Sequence, residues 1–194
     1  FLLISGTEII KRKFSFPVYL TRKMAHFGGA FIGFLSPLFL DQKQIILICI
    51  IFASILLVTK RTRIFSSIQG IERTTLGEVF LPIGVAVCAL FFVPENIKSY
   101  QFGVLIMGIS DGLAGLIGEK FGKNPLKILC VKKTIEGTLI FFVTSLVLTI
   151  SFAPSLEYII LVIPLILTIT EFFLIYGLDN LILPILGAFL IGWK

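Results

Sequence analysis

Residues 108–123 read Gly-Ile-Ser-Asp-Gly-Leu-Ala-Gly-Leu-Ile-Gly-Glu-Lys-Phe-Gly-Lys, and residues 132–138 read Lys-Lys-Thr-Ile-Glu-Gly-Thr. The first stretch is mainly apolar, yet it carries the carboxylate of Asp111 and a glycine every three or four positions. Small residues at this spacing are typical of membrane helices that pack closely. A charge inside such a helix is costly and usually functional. The two stretches therefore predict a membrane fold and the place of its polar site.

The composition of the whole chain supports this interpretation. Of its 194 residues, 57% are hydrophobic and 14% are charged, and the mean hydropathy is +1.05. A soluble domain carries about 25% charged residues. We therefore predict an all-α polytopic transmembrane bundle of about seven helices that forms one domain over residues 1–194. The expected helices lie near 24–40, 44–59, 76–93, 99–121, 135–153, 156–176 and 180–193, and residues 1–10 are interpreted as the tail of a further helix.

The distribution of basic residues predicts the orientation of the bundle. With the N-terminal segment inside and the helices alternating, only Lys43, Lys98 and Lys194 of the 17 lysines and arginines fall outside. Cytoplasmic loops carry such an excess. The net charge of +6 then reflects topology and contact with anionic membrane lipids, and it does not favour nucleic acid as a partner. The two longer inside loops, about 60–75 and 122–134, place the working face in the cytoplasm.

Polar residues within the apolar segments converge on that same face. Asp111 lies inside the fourth segment and Glu171 inside the sixth, whereas the other residues lie near inner helix ends. Because buried charges need partners, we expect these side chains to meet. The residues at the inner ends are Arg22, Lys23, His26, Glu78, Glu136, Asp179 and Asn180.

Asp111 stands between Ser110 and Gly112, with Gly108 close by. Paired glycines are places where a membrane helix can break, so we expect a break here, with Ser110 or Asp111 capping a second half-helix. A buried Asp paired only for packing is the alternative. The glycines are also expected to form a close packing face, made of Gly108, Gly112, Gly115, Gly118 and Gly122.

Lys132 and Lys133 directly precede the predicted fifth helix, with Thr134 as its N-cap. Lysines beside a helix N-terminus suit phosphate groups, although they also serve as simple topology anchors. His26 shares a helix face with Arg22, and a structural hydrogen bond is as plausible for it as a functional role. Tyr100 and Trp193 are expected at the membrane interface.

Carboxylates grouped with lysines on a membrane face favour metal-assisted phosphoryl transfer. A cation transporter also places Asp and Glu in its spans, so residue types alone leave this alternative open.

The motifs resemble the dolichol kinase, phytol kinase and CTP-dependent diacylglycerol kinase family. The resemblance rests on the two opening stretches and on three further pieces in family order. Ser110 and Gly112 stand where the family usually has Gly and Ala, so the small-residue character is retained. The further pieces are Arg22-Lys-Met-Ala-His26, Leu76-Gly-Glu78 leading to Pro82, and Glu171 followed by Asp179, Asn180 and Pro184.

The resemblance implies a kinase that transfers the γ-phosphate of CTP to a polyprenol, a phytol-type alcohol or diacylglycerol, with Mg²⁺ or another divalent cation. It places the nucleotide site at about 108–138. It implies Asp111, Glu136 and Glu171 as catalytic carboxylates, of which Asp111 and Glu136 hold the metal. CTP phosphates are expected on Lys123, Lys132, Lys133 and Thr134, with support from Arg22, His26, Glu78, Glu119, Asp179 and Asn180; Arg22 and His26 are expected on the lipid-headgroup side.

The same family is distantly similar to phosphatidate cytidylyltransferases, which transfer CMP to a lipid phosphate, and this is the second candidate function. An ion or lipid transporter is the third.

The orientation makes a direct prediction. Single cysteines placed in 60–75 or 122–134, in a chain without native cysteines, will resist impermeant thiol reagents added to intact cells. Cysteines at 41–43 will react and serve as the positive control. Labelling of either long loop from outside would reverse the orientation.

Overall fold

The structure is a computed structural model that describes residues 2–62, 76–128, 131–153 and 159–192, and these are almost entirely helical. Helix α5 has three parts, a regular helix Ile97–Leu105, a π-helical turn Ile106–Asp111 and a regular helix Gly112–Phe121. The helices of the described residues are α1 Leu2–Phe14, α2 Val18–Leu35, α3 Gln42–Thr62, α4 Gly77–Phe92, α5 Ile97–Phe121, α6 Ile135–Phe152, α7 Ile159–Phe173 and α8 Asp179–Gly192.

The helices fit an integral membrane protein. Helices α3, α5 and α6 are long and apolar enough to cross a membrane, and α4, α7 and α8 are shorter apolar helices. Large apolar side chains cover the outside, such as Leu47, which is 58% exposed, and Val147, which is 57% exposed. Lipid is the solvent in which such a surface is stable.

The helices run alternately up and down. Helices α2, α4, α6 and α8 begin at one end of the bundle, where α3, α5 and α7 finish, and we call this end the site end. At the opposite end the Tyr100 hydroxyl donates to the Gly33 carbonyl at 2.9 Å and lies 3.0 Å from Ser36 Oγ. Tyr100 is fully buried, so its side chain packs inside the bundle and does not face the surrounding membrane as an anchor would. Trp193 lies outside the described residues.

Helices α2 and α5 approach each other closely because α5 presents glycines. A Cβ atom added at Gly108, Gly112 or Gly115 would collide with a side chain of α2. Gly118 and Gly122 instead face Thr134, just before α6. The predicted glycine face is therefore shared between two neighbours. The contacts with α2 are Gly108 with Ala30, Gly112 with Phe27, and Gly115 with Lys23.

The interruption predicted near Asp111 is present, as a π-turn and not as a break. Helix α5 continues through it as a π-turn, and neither Ser110 nor Asp111 caps Gly112–Phe121 with its side chain. A π-turn adds a residue while keeping the backbone hydrogen-bonded, which a break in an apolar environment would not.

Two boundaries also differ from expectation. Helix α2 begins at Val18, earlier than the predicted residue 24. Arg22 and Lys23 therefore lie within the helix, where their side chains contact neighbouring helices. The predicted loop 122–134 contains an antiparallel hairpin, β1 Pro125–Ile128 with β2 Val131–Thr134. Thr134 does cap α6, accepting a bond from the Gly137 amide at 3.1 Å, and that prediction is confirmed.

The close approach predicts the effect of one methyl group. Gly108→Ala will lower the unfolding midpoint in detergent, because the added Cβ meets Ala30 and overpacking costs about 1–3 kcal/mol. Gly6→Ala is the matched control, since a Cβ at Gly6 in α1 would meet no atom of the described residues within 4 Å. It will be neutral or stabilising by about 0.5–1 kcal/mol. Equal midpoints for the two variants would mean that α2 and α5 do not meet at Gly108.

Candidate active site

Asp111 closes the π-turn of α5 and points toward α2. Its carboxylate Oδ2 lies 3.8 Å from Lys23 Nζ and 3.7 Å from His26 Nε2, and the residue is 8% exposed. Lys23 Nζ also donates to the Asp111 backbone carbonyl at 3.4 Å. The glycine at 115 leaves the space in which Lys23 extends. Helix α2 therefore supplies the positive charge that a buried carboxylate needs.

A second charged pair closes the same end from the opposite side. Lys133, at the end of β2, has its Nζ 2.5 Å from Glu171 Oε1 and also donates to the Glu171 backbone carbonyl. Both side chains are largely buried. Glu171 lies in the last turn of α7, so this pair fastens the hairpin to the end of that helix. The arrangement places a lysine and a carboxylate beside the Asp111 group, with which Glu171 interacts electrostatically.

The start of α8 completes the cluster. Asp179 interacts electrostatically with Asp111, Lys23 and Lys133. The Asn180 Nδ2 donates to the Gly77 carbonyl at 2.8 Å, which joins α8 to the start of α4. The Arg22 guanidinium lies beside the same glycine. Three carboxylates and two lysines thus share one buried region.

Three buried polar atoms in this region have no hydrogen-bond partner among the described residues. They are Ser110 Oγ, Glu171 Oε2 and Asn180 Oδ1. Ser110 is unusual, since other hydroxyls such as Thr149 and Thr168 bond back to the carbonyl four residues earlier in their helices. An unsatisfied buried polar atom costs free energy, so a water molecule or a ligand that bonded any of these atoms would stabilise the fold.

The other predicted residues lie apart from this cluster. The Glu136 carboxylate accepts bonds from the Lys123 amide at 3.1 Å and from Asn124 Nδ2 at 2.8 Å, which ties it to the loop before β1. Glu78 pairs with Lys60 at 2.8 Å. Glu119 and Lys123 are exposed. Their predicted roles, and that of Thr134, remain predictions, and the side chain of Lys132 lies outside the described residues.

Sequence reasoning missed the importance of Lys23. The sequence placed Lys23 among the polar residues expected to meet at the inner face and within Arg22-Lys-Met-Ala-His26, but it assigned Lys23 no catalytic or binding role. Its spacing of three from His26 contained the signal, because both residues then share the helix face that meets α5.

The oxygen donors of the cluster fit Mg²⁺. Among the described residues no group of three or more His, Cys, Asp or Glu forms a ready-made metal site. However, Mg²⁺ in phosphoryl-transfer sites is commonly held by one or two carboxylates, with water and substrate phosphate as its other ligands. The Asp111 carboxylate and the unpaired Glu171 Oε2 suit that mode.

Fold and site together define a helical membrane protein with a buried cluster of carboxylates and lysines at one end. The chain is 30% identical to a phytol kinase of Synechocystis sp., over 98% of its own length and 85% of that protein. It is 32% identical to an uncharacterized protein of Methanocaldococcus jannaschii over 60% of its own length and 58% of that protein. No protein-family model matches the chain, and no solved structure is significantly similar to it.

The chain therefore belongs to the polyprenol and phytol kinase family and is, at the level of that family, a lipid-alcohol kinase.

Proposed function

We propose that this protein transfers the γ-phosphate of CTP to the hydroxyl of a lipid alcohol, a polyprenol, a phytol-type alcohol or diacylglycerol. The buried cluster around Asp111 is the observation that carries the proposal, because it combines carboxylates with lysines at one end of a membrane bundle. The similarity to a phytol kinase over almost the whole chain supports a phosphorylated alcohol as product. CTP as the donor follows from the motif resemblance alone.

The reaction forms a bond between the alcohol oxygen and the γ-phosphorus and breaks the bond from that phosphorus to the β–γ bridging oxygen. CDP leaves with the electron pair of the broken bond. The hydroxyl proton needs an acceptor, and Asp111 is the proposed one, since the contacts of its carboxylate to Lys23 and His26, within the part of the chain that the structure describes, are long. Most of the catalytic effect in phosphoryl transfer comes from positioning and charge.

The lysines bind phosphate in this proposal. Lys133 pairs with Glu171, and the negative oxygens of CTP would compete for its ammonium group. Lys23 approaches Asp111 from α2 and can balance charge that develops on the transferred group. Lys132 is kept as a proposed phosphate contact from the motif resemblance. Lys123 and Thr134 are kept as further phosphate contacts.

Mg²⁺, when bound, would neutralise phosphate charge. Asp111 is the proposed protein ligand in the alternative to its role as proton acceptor. Glu171 is better placed than Glu136 to be the second protein ligand. The Glu136 carboxylate already accepts hydrogen bonds from residues 123 and 124, whereas Glu171 Oε2 has no partner among the described residues. Ser110 Oγ and Asn180 Oδ1 remain available to the alcohol or to water. The site end is proposed to face the cytoplasm, where CTP is supplied, and the alcohol would enter from the bilayer.

Isotope position tests the reaction. Purified protein in detergent, incubated with a panel of lipid alcohols, will label the lipid from γ-labelled CTP and not from α-labelled CTP. Transfer of the α-label instead would show CMP transfer and establish the cytidylyltransferase alternative. Lipid labelling from γ-labelled ATP but not from γ-labelled CTP would support kinase activity and would reject CTP as the phosphate donor. No lipid label from any nucleotide would favour transport.

Asp111→Asn tests the central carboxylate. The amide keeps the size of the side chain but neither accepts a proton nor holds Mg²⁺ as a carboxylate does, so kcat will fall by at least about 10²-fold. The Lys23 contact to the backbone carbonyl is retained, so yield and elution profile will match the parent.

Asp41→Asn is the control for Asp111→Asn. Asp41 lies in the exposed connection between α2 and α3 at the opposite end of the bundle. Its carboxylate accepts a hydrogen bond from the Gln44 backbone N–H at 2.8 Å. Its activity will stay near that of the parent. If Asp111→Asn also stays within a few-fold, Asp111 is structural, and if that variant aggregates, its charge serves packing.

A further inference from the structure

The buried histidine of α2 makes one strong hydrogen bond, and that bond reaches the π-turn. His26 Nε2 lies 2.9 Å from the Met107 backbone carbonyl, and the contact is buried. A carbonyl oxygen only accepts hydrogen bonds, so Nε2 must carry the proton. Its next polar neighbour is Asp111 Oδ2 at 3.7 Å, too far for a hydrogen bond. The imidazole Nε2–H therefore donates to the backbone carbonyl and not to the carboxylate.

The carbonyl that receives this bond belongs to the irregular part of α5. Met107 is the second residue of the π-turn Ile106–Asp111 and is fully buried. A π-turn has one more residue than a regular turn, so the usual four-residue hydrogen-bond pattern is interrupted there. A donor from outside the helix can add a hydrogen bond to a carbonyl of this irregular turn and so favour it over a regular one. His26 is the described side chain that supplies it to Met107.

The extra residue sets the direction of Asp111. One residue corresponds to about 100° of helix rotation, so a regular helix would turn everything after the insertion by about that angle relative to Ile97–Leu105. Asp111 is the last residue of the π-turn and points toward Lys23 with the rotation it has. An interaction that stabilises the π-turn therefore also keeps the Asp111 carboxylate within the cluster.

We infer that His26 is a positioning residue, whose bond to the Met107 carbonyl holds the π-turn of α5 and thereby aims Asp111. The inference rests on the proposed role of Asp111, and it assigns His26 neither proton transfer nor a contact with the lipid headgroup. It predicts that the hydrogen-bond donor matters, and that the imidazole ring as such does not.

Two substitutions separate the donor from the ring. His26→Leu removes the donor while keeping an apolar side chain of similar bulk, and it will lower kcat by about 10²-fold, the scale expected for a catalytic group misplaced by about 1 Å. The KM values for nucleotide and alcohol will change by less than about threefold. His26→Gln carries a donor at similar reach and will restore kcat to within about fivefold of the parent.

Tyr100→Phe is the matched control. The Tyr100 hydroxyl makes the same kind of bond between the same two helices, to the Gly33 carbonyl at 2.9 Å, but at the end remote from Asp111. Its kcat will stay near that of the parent. An equal loss in Tyr100→Phe and His26→Leu would mean that only general packing of α2 on α5 is at stake, and the inference would fall.

A spectroscopic test does not depend on activity. His26 is the only histidine of the chain, so protein labelled with ¹⁵N-histidine and purified without a histidine tag gives one imidazole signal. The inference requires a neutral ring with the proton on Nε2. Hydrogen exchange at 106–111 will be faster in His26→Leu than in the parent, and it will return toward the parent rate in His26→Gln.

The outcomes are distinct. A proton on Nδ1 alone, or unchanged exchange in His26→Leu, would overturn the inference whether or not the protein has kinase activity. Equal loss of kcat in His26→Gln and His26→Leu would instead assign the imidazole to proton transfer. A raised KM for the alcohol with unchanged kcat would assign it to the headgroup. If the parent transfers no phosphate while the tautomer and exchange results hold, the proposed function fails. The role of His26 in holding the π-turn then still stands.

Discussion

The close approach of α2 to α5 is the constraint on which the site depends. Glycines at 108, 112 and 115 let the α2 side chains reach the α5 backbone, as a larger residue would not. Over this contact Ala30 and Phe27 pack, and Lys23 and His26 make polar contacts with the π-turn and with Asp111. One helix face thus provides packing and electrostatic partners together. The Gly115 position shows the link, because its missing side chain is the space that Lys23 occupies.

Burial explains why the charges cluster. A carboxylate within an apolar bundle is strongly disfavoured unless a positive group or hydrogen-bond donor accompanies it. Asp111 is accompanied by Lys23, and Glu171 by Lys133. The pairs come from different elements, α2 with α5 and β2 with α7, so the site forms only when the bundle and the hairpin assemble. Among the described residues, Glu171 Oε2 and Ser110 Oγ have no hydrogen-bond partner after this pairing, and this is why they enter the proposed site.

The hairpin connects the membrane core to the nucleotide chemistry proposed for this end. It follows α5 directly, runs back as β2 and ends at Thr134, which caps α6. Gly118 packs against that threonine, and Lys133 fastens the same strand to α7. Movement of the strand would therefore alter the Lys133–Glu171 pair beside Asp111. This arrangement gives a short connection a structural role that its length alone does not suggest.

The sequence by itself determined the solvent, the helices and the set of polar residues. Hydropathy requires a membrane fold whatever the contacts between helices, and the observed helices follow the predicted segments closely. Charged side chains within apolar segments need polar partners, so the sequence predicts that they lie together. Six of the predicted residues do lie at one end of the bundle: Asp111, Glu171, Asp179, Asn180, Arg22 and His26. Tertiary structure alone decided the π-turn and the pairing of Lys23 with Asp111. Their reason is nonlocal, because the donor for the Met107 carbonyl comes from a residue 81 positions away. Periodicity reports which face of a helix is apolar, but not which neighbour supplies the partner.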